Sequence, residues 1–209
     1  RKADDPEIAY ALAGRLLRTE VCQADDPAPA RLFSLNESRY LVRVVNESPS
    51  SLLVLELESR SQQYERFMDD PNCQHVVNLA WNEYGQLTHS LTVACARRRT
   101  ETDEPPFDQE DQRRAWVDSH DEQQRHFYLA ETLAEHTHLI TDGHWLLNLP
   151  LRKRGNALML PKGALPGGLT ADAISFENVV LHKDSAQWTA ARELTSLSQQ
   201  TYLEAAGEI

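Results

Sequence analysis

The densest group of chemically capable side chains is His136-Thr137-His138, with His144 close behind. In a strand, residues two apart project to the same side, so His136 and His138 could share a metal ion, with Glu131 or Glu135 as an oxygen ligand. A chain with eight histidines in 209 residues also yields such a cluster from composition alone, and no recognised acid–histidine spacing accompanies it. Carboxylate pairs are the other candidate chemistry. Glu56 and Glu58 fall on one side of a strand whose other side is Leu53, Leu55 and Leu57, which is the pattern of a solvent-facing side and not of a general acid–base dyad. Arg97-Arg98-Arg99 could hold an anion, but three cations at a strand end beside an acidic stretch are expected to form ion pairs. Cys22, Cys73 and Cys95 make no Cys-x-x-Cys. Cys95 sits in an alternating apolar strand and reads as a small buried hydrophobe, so no disulfide framework is expected. Trp81, Trp116, Trp145 and Trp188 are scattered and read as core anchors. There is no Gly-x-Ser-x-Gly elbow, no His-Glu-x-x-His and no phosphate-binding Gly-rich loop. The reading therefore assigns no catalytic, cofactor-binding or metal residues, and no cofactor.

Composition narrows the classes further. The apolar fraction of 41% and charged fraction of 25% belong to a globular chain. The 21 basic and 32 acidic residues leave a net charge of −11, a field that repels phosphate backbones and argues against a nucleic-acid partner. No run approaches the roughly 20 apolar residues of a membrane helix, and no membrane contact is expected. The chain opens Arg1-Lys2-Ala3-Asp4-Asp5, with no initiator Met and no apolar leader, and reads as a piece of something longer.

The elements that would position these residues are mostly strands. Asp5-Pro6-Glu7 signals the start of a short helix that Gly14 ends. Arg15 to Cys22 alternates with period two and predicts a strand. Ala24 to Pro29 is a turn or loop by composition. Tyr40 to Val45 and Leu52 to Glu58 read as strands on either side of a polar link containing Pro49. Residues 100–122 are acidic, contain Pro105-Pro106 and lack an apolar period, which predicts an exposed, flexible insert between a β-rich region over 1–99 and a second strand region over 123–209. Arg152 to Leu160 predicts a strand, closed by Pro161-Lys162-Gly163. Pro166-Gly167-Gly168 is a turn, and Ile174 to Phe176 and Val179 to Leu181 are short β-like runs. In the tail, Trp188, Ala191, Leu194 and Leu197 recur every three residues, predicting a helix from Ser185 to Ala206 that Gly207 stops.

One hairpin can be set in register by arithmetic. Val77, Leu79 and Trp81 share one strand face, and Leu87, His89, Leu91, Val93 and Cys95 share the next. Pairs whose numbers sum to 168 place Trp81 opposite Leu87, Leu79 opposite His89 and Val77 opposite Leu91, keeping apolar faces together. The loop is then Glu83-Tyr84-Gly85, with Gly85 at the position that demands a left-handed backbone.

These hairpin residues carry a resemblance. Trp81-Asn82-Glu83-Tyr84-Gly85-Gln86-Leu87-Thr88 resembles the Tyr-Asp-x-x-Gly-Arg-Leu-Thr unit of Rhs/YD-repeat proteins. It stands in a longer order: Leu12 to Val21, Ser38 to Arg43, Glu58 to Arg66, Asp69 to His75, the hairpin, then Ala96 to Arg99. That order is similar to the middle-to-C-terminal region of the B component of bacterial Tc (toxin complex) insecticidal toxins, most clearly from about residue 10 to 99 and more faintly from 123 to 176. Cys22 stands where the family has Tyr, and Asp69-Asp70-Pro71 stands in for an Asn-Pro-x-Asp-Pro-Arg stretch.

The strand pattern and the resemblance together imply a mainly β fold, an antiparallel meander of curved sheet, with a few short helices including the C-terminal one read from the tail's periodicity. It implies a non-catalytic segment of a hollow β-shell that encloses and helps deliver a toxic domain of the C component. The implied partners are the Rhs-repeat C component, the A component and flanking parts of the parent chain, in a secreted or released toxin complex assembled in the bacterial cytoplasm. Two other classes stand beside it: a free-standing β-rich protein-binding module, which needs an exposed apolar patch, and a metal-dependent hydrolase, which needs His136, His138 and His144 to converge on one open site.

Overall fold

The computed structural model describes residues 4–23, 31–47, 50–64, 68–162 and 175–202. Helix α1 (Asp5–Ala11) opens the chain, followed by β1 (Arg18–Cys22), β2 (Leu32–Glu47), β3 (Ser50–Gln63), β4 (Asn72–Trp81) and β5 (Leu87–Ala94). Then come α2 (Glu110–Asp118), β6 (His126–Ile140), β7 (Trp145–Pro161), α3 (Phe176–His182), α4 (Ala186–Ala191) and β8 (Arg192–Gln199). The strands form one eight-stranded sheet in sequence order, every neighbour antiparallel. This is the mainly β meander expected, open at both edges among the described residues.

Local chemistry accounts for the element ends. Asp4 caps α1: its carboxylate accepts the Glu7 N–H at 3.0 Å and Glu7 accepts the Asp4 N–H at 3.1 Å, a reciprocal capping box. The β4–β5 hairpin has the register derived above from Gln74↔Ala94 to Asn78↔Ser90 and again at Trp81↔Leu87. His89 pairs with Ala80 instead of Leu79, because a bulge takes up one residue there. Gly85 has φ +81° at the end of the turn.

Several expectations are corrected. The stretch 100–122 contains α2, whose Trp116 is buried although the segment has no apolar period. Arg113 holds its start, donating to the Phe107 carbonyl at 3.1 Å and the Glu104 carboxylate at 2.7 Å. Val179 to Leu181 lie in α3 and not in a strand; the Ser175 hydroxyl accepts the Asn178 N–H at 3.3 Å and starts that helix. The tail helix is one short turn-pair, α4, and from Arg192 the chain becomes β8, pairing Arg192 to Gln199 along β7. The unfilled hydrogen-bonding edge of β7 outweighs helix periodicity there. The turns expected at Ala24 to Pro29 and Pro166 to Gly168, Pro49, and Gly207 lie outside the described residues.

Helices α3 and α4 cover the middle of one sheet face. Val77, Leu91, Val93, Phe127, Leu129, Leu158 and Leu160 from β4 to β7 pack with Val179 and Trp188 into the main core. The cross-strand row Val93–Leu129–Leu158 shows why: paired residues share a side, so apolar positions of β5, β6 and β7 line up on one face. The opposite face carries rows such as Asn78–Ser90–Thr132–Gly155–Ser196, small and polar.

The turn yields a prediction. A Cβ at Gly85 would stand 2.6 Å from Leu53 Cδ2, whereas one at Gly14 (φ +78°) would meet nothing within 4 Å. Gly14→Ala is expected to lose about 1–2 kcal/mol from backbone conformation alone. Gly85→Ala should lose more, by whatever moving Leu53 requires. Urea denaturation of the two variants measures the difference, and equal losses would show that Leu53 does not press on the turn.

Candidate functional site

Among the described residues, two polar clusters lie under and around the helical cover, each built on a carboxylate that the sheet largely covers. The first centres on Glu131. It follows Phe127 and Leu129 on the core-facing side of β6 and is itself only 3% exposed. His89 Nε2 on β5 lies 3.0 Å from its Oε1, and the Asn156 amide on β7 donates to its Oε2 at 2.7 Å. Arg192 completes the set: its Nε is 2.7 Å from Oε2, and its Nη2 also donates to the Lys183 carbonyl at the end of α3 at 3.2 Å. Burial pushes the Glu131 carboxyl up, but the bonds from His89 and Asn156 and the Arg192 charge outweigh it and hold it down at about 2. An ionised carboxylate only accepts hydrogen bonds, so His89 donates from Nε2.

The second cluster centres on Glu58 of β3. His75 Nε2 approaches Glu58 Oε2 at 2.9 Å, the Phe176 N–H donates to the same oxygen at 2.8 Å, and Arg39 Nη2 lies 2.7 Å from Oε1. Arg39 also reaches Glu177 in the first turn of α3 at 2.8 Å. Burial raises the Glu58 carboxyl, and His75, the Phe176 amide and Arg39 bring it below its ordinary value. The expectation that Glu56 and Glu58 share a solvent face is corrected: Glu56 is exposed and Glu58 is largely covered. Their strand is irregular there, with Arg39 and Tyr40 of β2 opposite Glu58 and Glu56 and Leu57 left as an extra residue.

Glu58 and Glu131 do not form a catalytic pair. They share the cross-strand row Glu58–Val77–Leu91–Glu131, three strand spacings or about 14 Å apart. Carboxylate pairs in glycoside hydrolysis stand roughly 5 to 9.5 Å apart, and aspartic-protease pairs closer still. Both carboxylates instead fasten the helical cover: Glu58 holds the first N–H of α3, and Glu131, through Arg192, holds its end.

The histidine group is dispersed. His138 Nδ1 accepts the Asn148 N–H at 3.0 Å and its ring meets Tyr84 edge-on at 4.6 Å. His144 lies in the exposed β6–β7 turn, where its N–H reaches Thr141 Oγ1 at 3.2 Å. Glu131 is an odd number of residues from His136 and so takes the other side of β6. Among the described residues, no three His, Cys, Asp or Glu side chains are placed to hold a metal ion. In the arginine row, Arg97 is ion-paired with Asp70 at 3.1 Å and Arg99 with Asp69, as expected, and the Arg98 backbone N–H donates to Asp70 at 2.8 Å.

The YD-like turn is a junction of hairpins. Asn82 Oδ1 accepts the Tyr84 and Gln86 N–H groups at 3.0 and 2.9 Å, and its Nδ2 donates to Asn148 Oδ1 at 2.8 Å. Arg43 of β2 donates to the Asn82 carbonyl at 2.8 Å. The long β2–β3 and β6–β7 hairpins thus close on the shorter β4–β5 hairpin from both sides. Beyond it, Leu139, Ile140, Leu146 and Trp145 are exposed, Trp145 at 73%.

Sequence reasoning missed His75 and His89 as partners and gave Glu131 the wrong ones. The available signal was Glu131 itself, a carboxylate in register with an apolar face, which must find charged or hydrogen-bonding neighbours.

The sequence profile described as insecticide toxin TcdB middle/C-terminal region matches residues 7–149. Among solved structures, TcdB2–TccC3 without its hypervariable C-terminal region matches with a TM-score of 0.79 at 24% identity, over 99% of this chain and 10% of that one. TcdB2–TccC3–Cdc42 matches at 0.80 and 24%, over 99% and 10%. A Tc holotoxin pore of Photorhabdus luminescens matches at 0.78 and 25%, again over 99% and 10%. The chain therefore spans about a tenth of the length of those solved chains. No curated protein matches it.

The Glu131 cluster predicts an acid limb in stability. Its folded carboxyl titrates at about 2 against an ordinary value of 4.5. Its contribution is therefore fully present above about pH 4.5 and is lost as pH falls toward 2. Glu131→Gln should lower stability at neutral pH by about 3 kcal/mol or more, because Arg192 loses its counter-charge, and should make the acid limb shallower. Chemical denaturation at stepped pH reads both effects.

Proposed function

Since the chain belongs to the insecticide toxin TcdB middle/C-terminal region family, we propose that it is a wall segment of a hollow β-shell that encloses and helps deliver a toxic domain of the C component. The observation that carries this reading is the open eight-stranded meander whose two edge strands, β1 and β8, each pair on one side only among the described residues. A wall needs long paired strands, and continuation of the sheet satisfies the backbone groups an edge leaves open. β2, β3, β6 and β7 run 14 to 17 residues, well beyond the usual five or six. It also needs one face that can meet water or cargo without sticking to it, which suits the small polar row from Asn78 to Ser196. The charged groups on the other face fasten secondary structure and do not converge as an acid–base set.

On this reading the partners are the C component, the A component and the flanking parts of the parent chain, within a secreted or released toxin complex assembled in the bacterial cytoplasm. The segment itself does no catalysis and touches neither nucleic acid nor membrane. No helix among the described residues is long and apolar enough to cross a membrane.

A wall segment removed from its neighbours exposes edges and apolar side chains that the neighbours would cover. The 209-residue chain alone is therefore expected to self-associate in sedimentation experiments or to melt at low temperature. Mixing it with separately expressed flanking regions should raise its Tm by several degrees. A stable monomer that hydrolyses a defined substrate, with activity abolished by one point substitution, would overturn the reading.

A further inference from the structure

We infer that Cys73 and Cys95 form a redox-switchable cross-strand disulfide that staples the β4–β5 hairpin when the chain meets an oxidising thiol–disulfide environment. Both are thiols in this structure. Their numbers sum to the same 168 as the adjoining pair Gln74↔Ala94, and the Cys95 N–H donates to the Cys73 carbonyl at 2.9 Å, so they stand directly opposite. Cys73 falls on the core-facing side with His75 and Val77, and Cys95 falls on it with Leu91 and Val93, so both sulfurs project the same way. Opposed residues of a hydrogen-bonded antiparallel pair have Cα atoms about 5.5 Å apart, inside the range a disulfide spans. Their Cβ atoms, roughly 5.5 Å apart in such a pair, start about 1.7 Å further apart than the mean of a disulfide. β5 ends at Ala94, one residue before Cys95, so the movement that closes the gap falls on the Cys95 side while Cys73 stays paired with Gln62 of β3.

Access is asymmetric, which sets the order of events. Cys73 is 2% exposed. Cys95 is partly exposed just past the end of β5, where it packs against the rim of the main core. An oxidised low-molecular-weight disulfide such as glutathione disulfide can reach it from that open end. The Cys95 sulfur attacks one of its sulfurs, forming a Cys95–glutathione disulfide and releasing one glutathione. The Cys73 sulfur then attacks the Cys95 sulfur and releases the second glutathione, and the two cysteine protons end on the two departing thiols. Two cysteines are oxidised and one glutathione disulfide is reduced. The staple closes the end of the hairpin where Asp70 already holds Arg97. That this happens on leaving a reducing cytoplasm rests on the toxin reading above; formation of the bond does not.

The test uses the intact chain in glutathione buffers of rising oxidised fraction, quenched with acid, alkylated and cleaved after glutamate. Glu83 lies between the two cysteines, so cleavage there leaves the flanking peptides joined only through sulfur. The expected result is a joined pair that separates on reduction, with Cys22 outside it. Cys22→Ser, at an exposed position, should give the same joined pair. Cys73→Ser should leave glutathione on Cys95. Failure of the peptides to join while Cys22 reacts, joining only in urea, or linkage of Cys22 to either partner would each overturn the inference. Self-association behaviour tests the wall reading separately, so the two can fail independently.

Discussion

The ionised Glu131 carboxylate is the joint on which the described fold depends. It lies on β6, takes hydrogen bonds from β5 and β7, and through Arg192 binds both the first residue of β8 and the last turn of α3. A buried carboxylate without partners is several kcal/mol unfavourable, so the three groups around it must arrive together. Their arrival fixes three things at once: the order of β5 to β8, the seating of α3 and α4 over the apolar face, and the point where the tail stops being helix. Glu58 repeats the arrangement at the other end of α3, where its oxygen accepts the Phe176 N–H. The helical cover is thus held at its two ends by carboxylates that the sheet supplies, and along its length by Val179 and Trp188 in the core.

What could be read from the sequence was what depends on neighbours in the chain. Alternation located the strands. The requirement for a left-handed residue located Gly85, and face matching set the register through Trp81 and Leu87. What could not be read depends on residues far apart. The three-residue spacing of Trp188, Ala191, Leu194 and Leu197 fits a helix, yet Arg192 is claimed by Glu131, 61 positions earlier, and the open edge of β7 takes the rest. The helix around Trp116 has one buried anchor and so no period to detect. Glu58 follows the leucine alternation on paper, but the extra residue at Leu57 turns it under the cover, where His75 meets it.

Function was legible by a different route. No spacing of acids, histidines or cysteines indicated an activity; the order of motifs around the hairpin pointed to a family, and the profile over residues 7–149 agrees with it. The site adds the physical side of that assignment. Its charged groups are paired with one another: Glu131 with His89, Asn156 and Arg192, Glu58 with His75, Arg39 and an amide, and Arg97 and Arg99 with Asp70 and Asp69. A catalytic group must keep a lone pair or a proton available to a substrate. On the wall reading, groups paired in this way hold the cover in position.

The YD-like turn shows how a repeat unit can serve a wall. Asn82 uses both ends of its carboxamide: the oxygen closes its own turn on Tyr84 and Gln86, and the nitrogen donates to Asn148 on the neighbouring β6–β7 hairpin. Its backbone carbonyl takes Arg43 from the β2–β3 hairpin on the other side. One residue therefore completes its own hairpin and ties it to two others, without borrowing the sheet's ladder hydrogen bonds. In a meander, where every strand pairs only with its sequence neighbours, the hairpin ends are otherwise free to splay. A turn that binds sideways removes that freedom and leaves the ladder of each strand available for the next. On the wall reading, this is the property that lets a sheet grow strand by strand and still hold a fixed curvature.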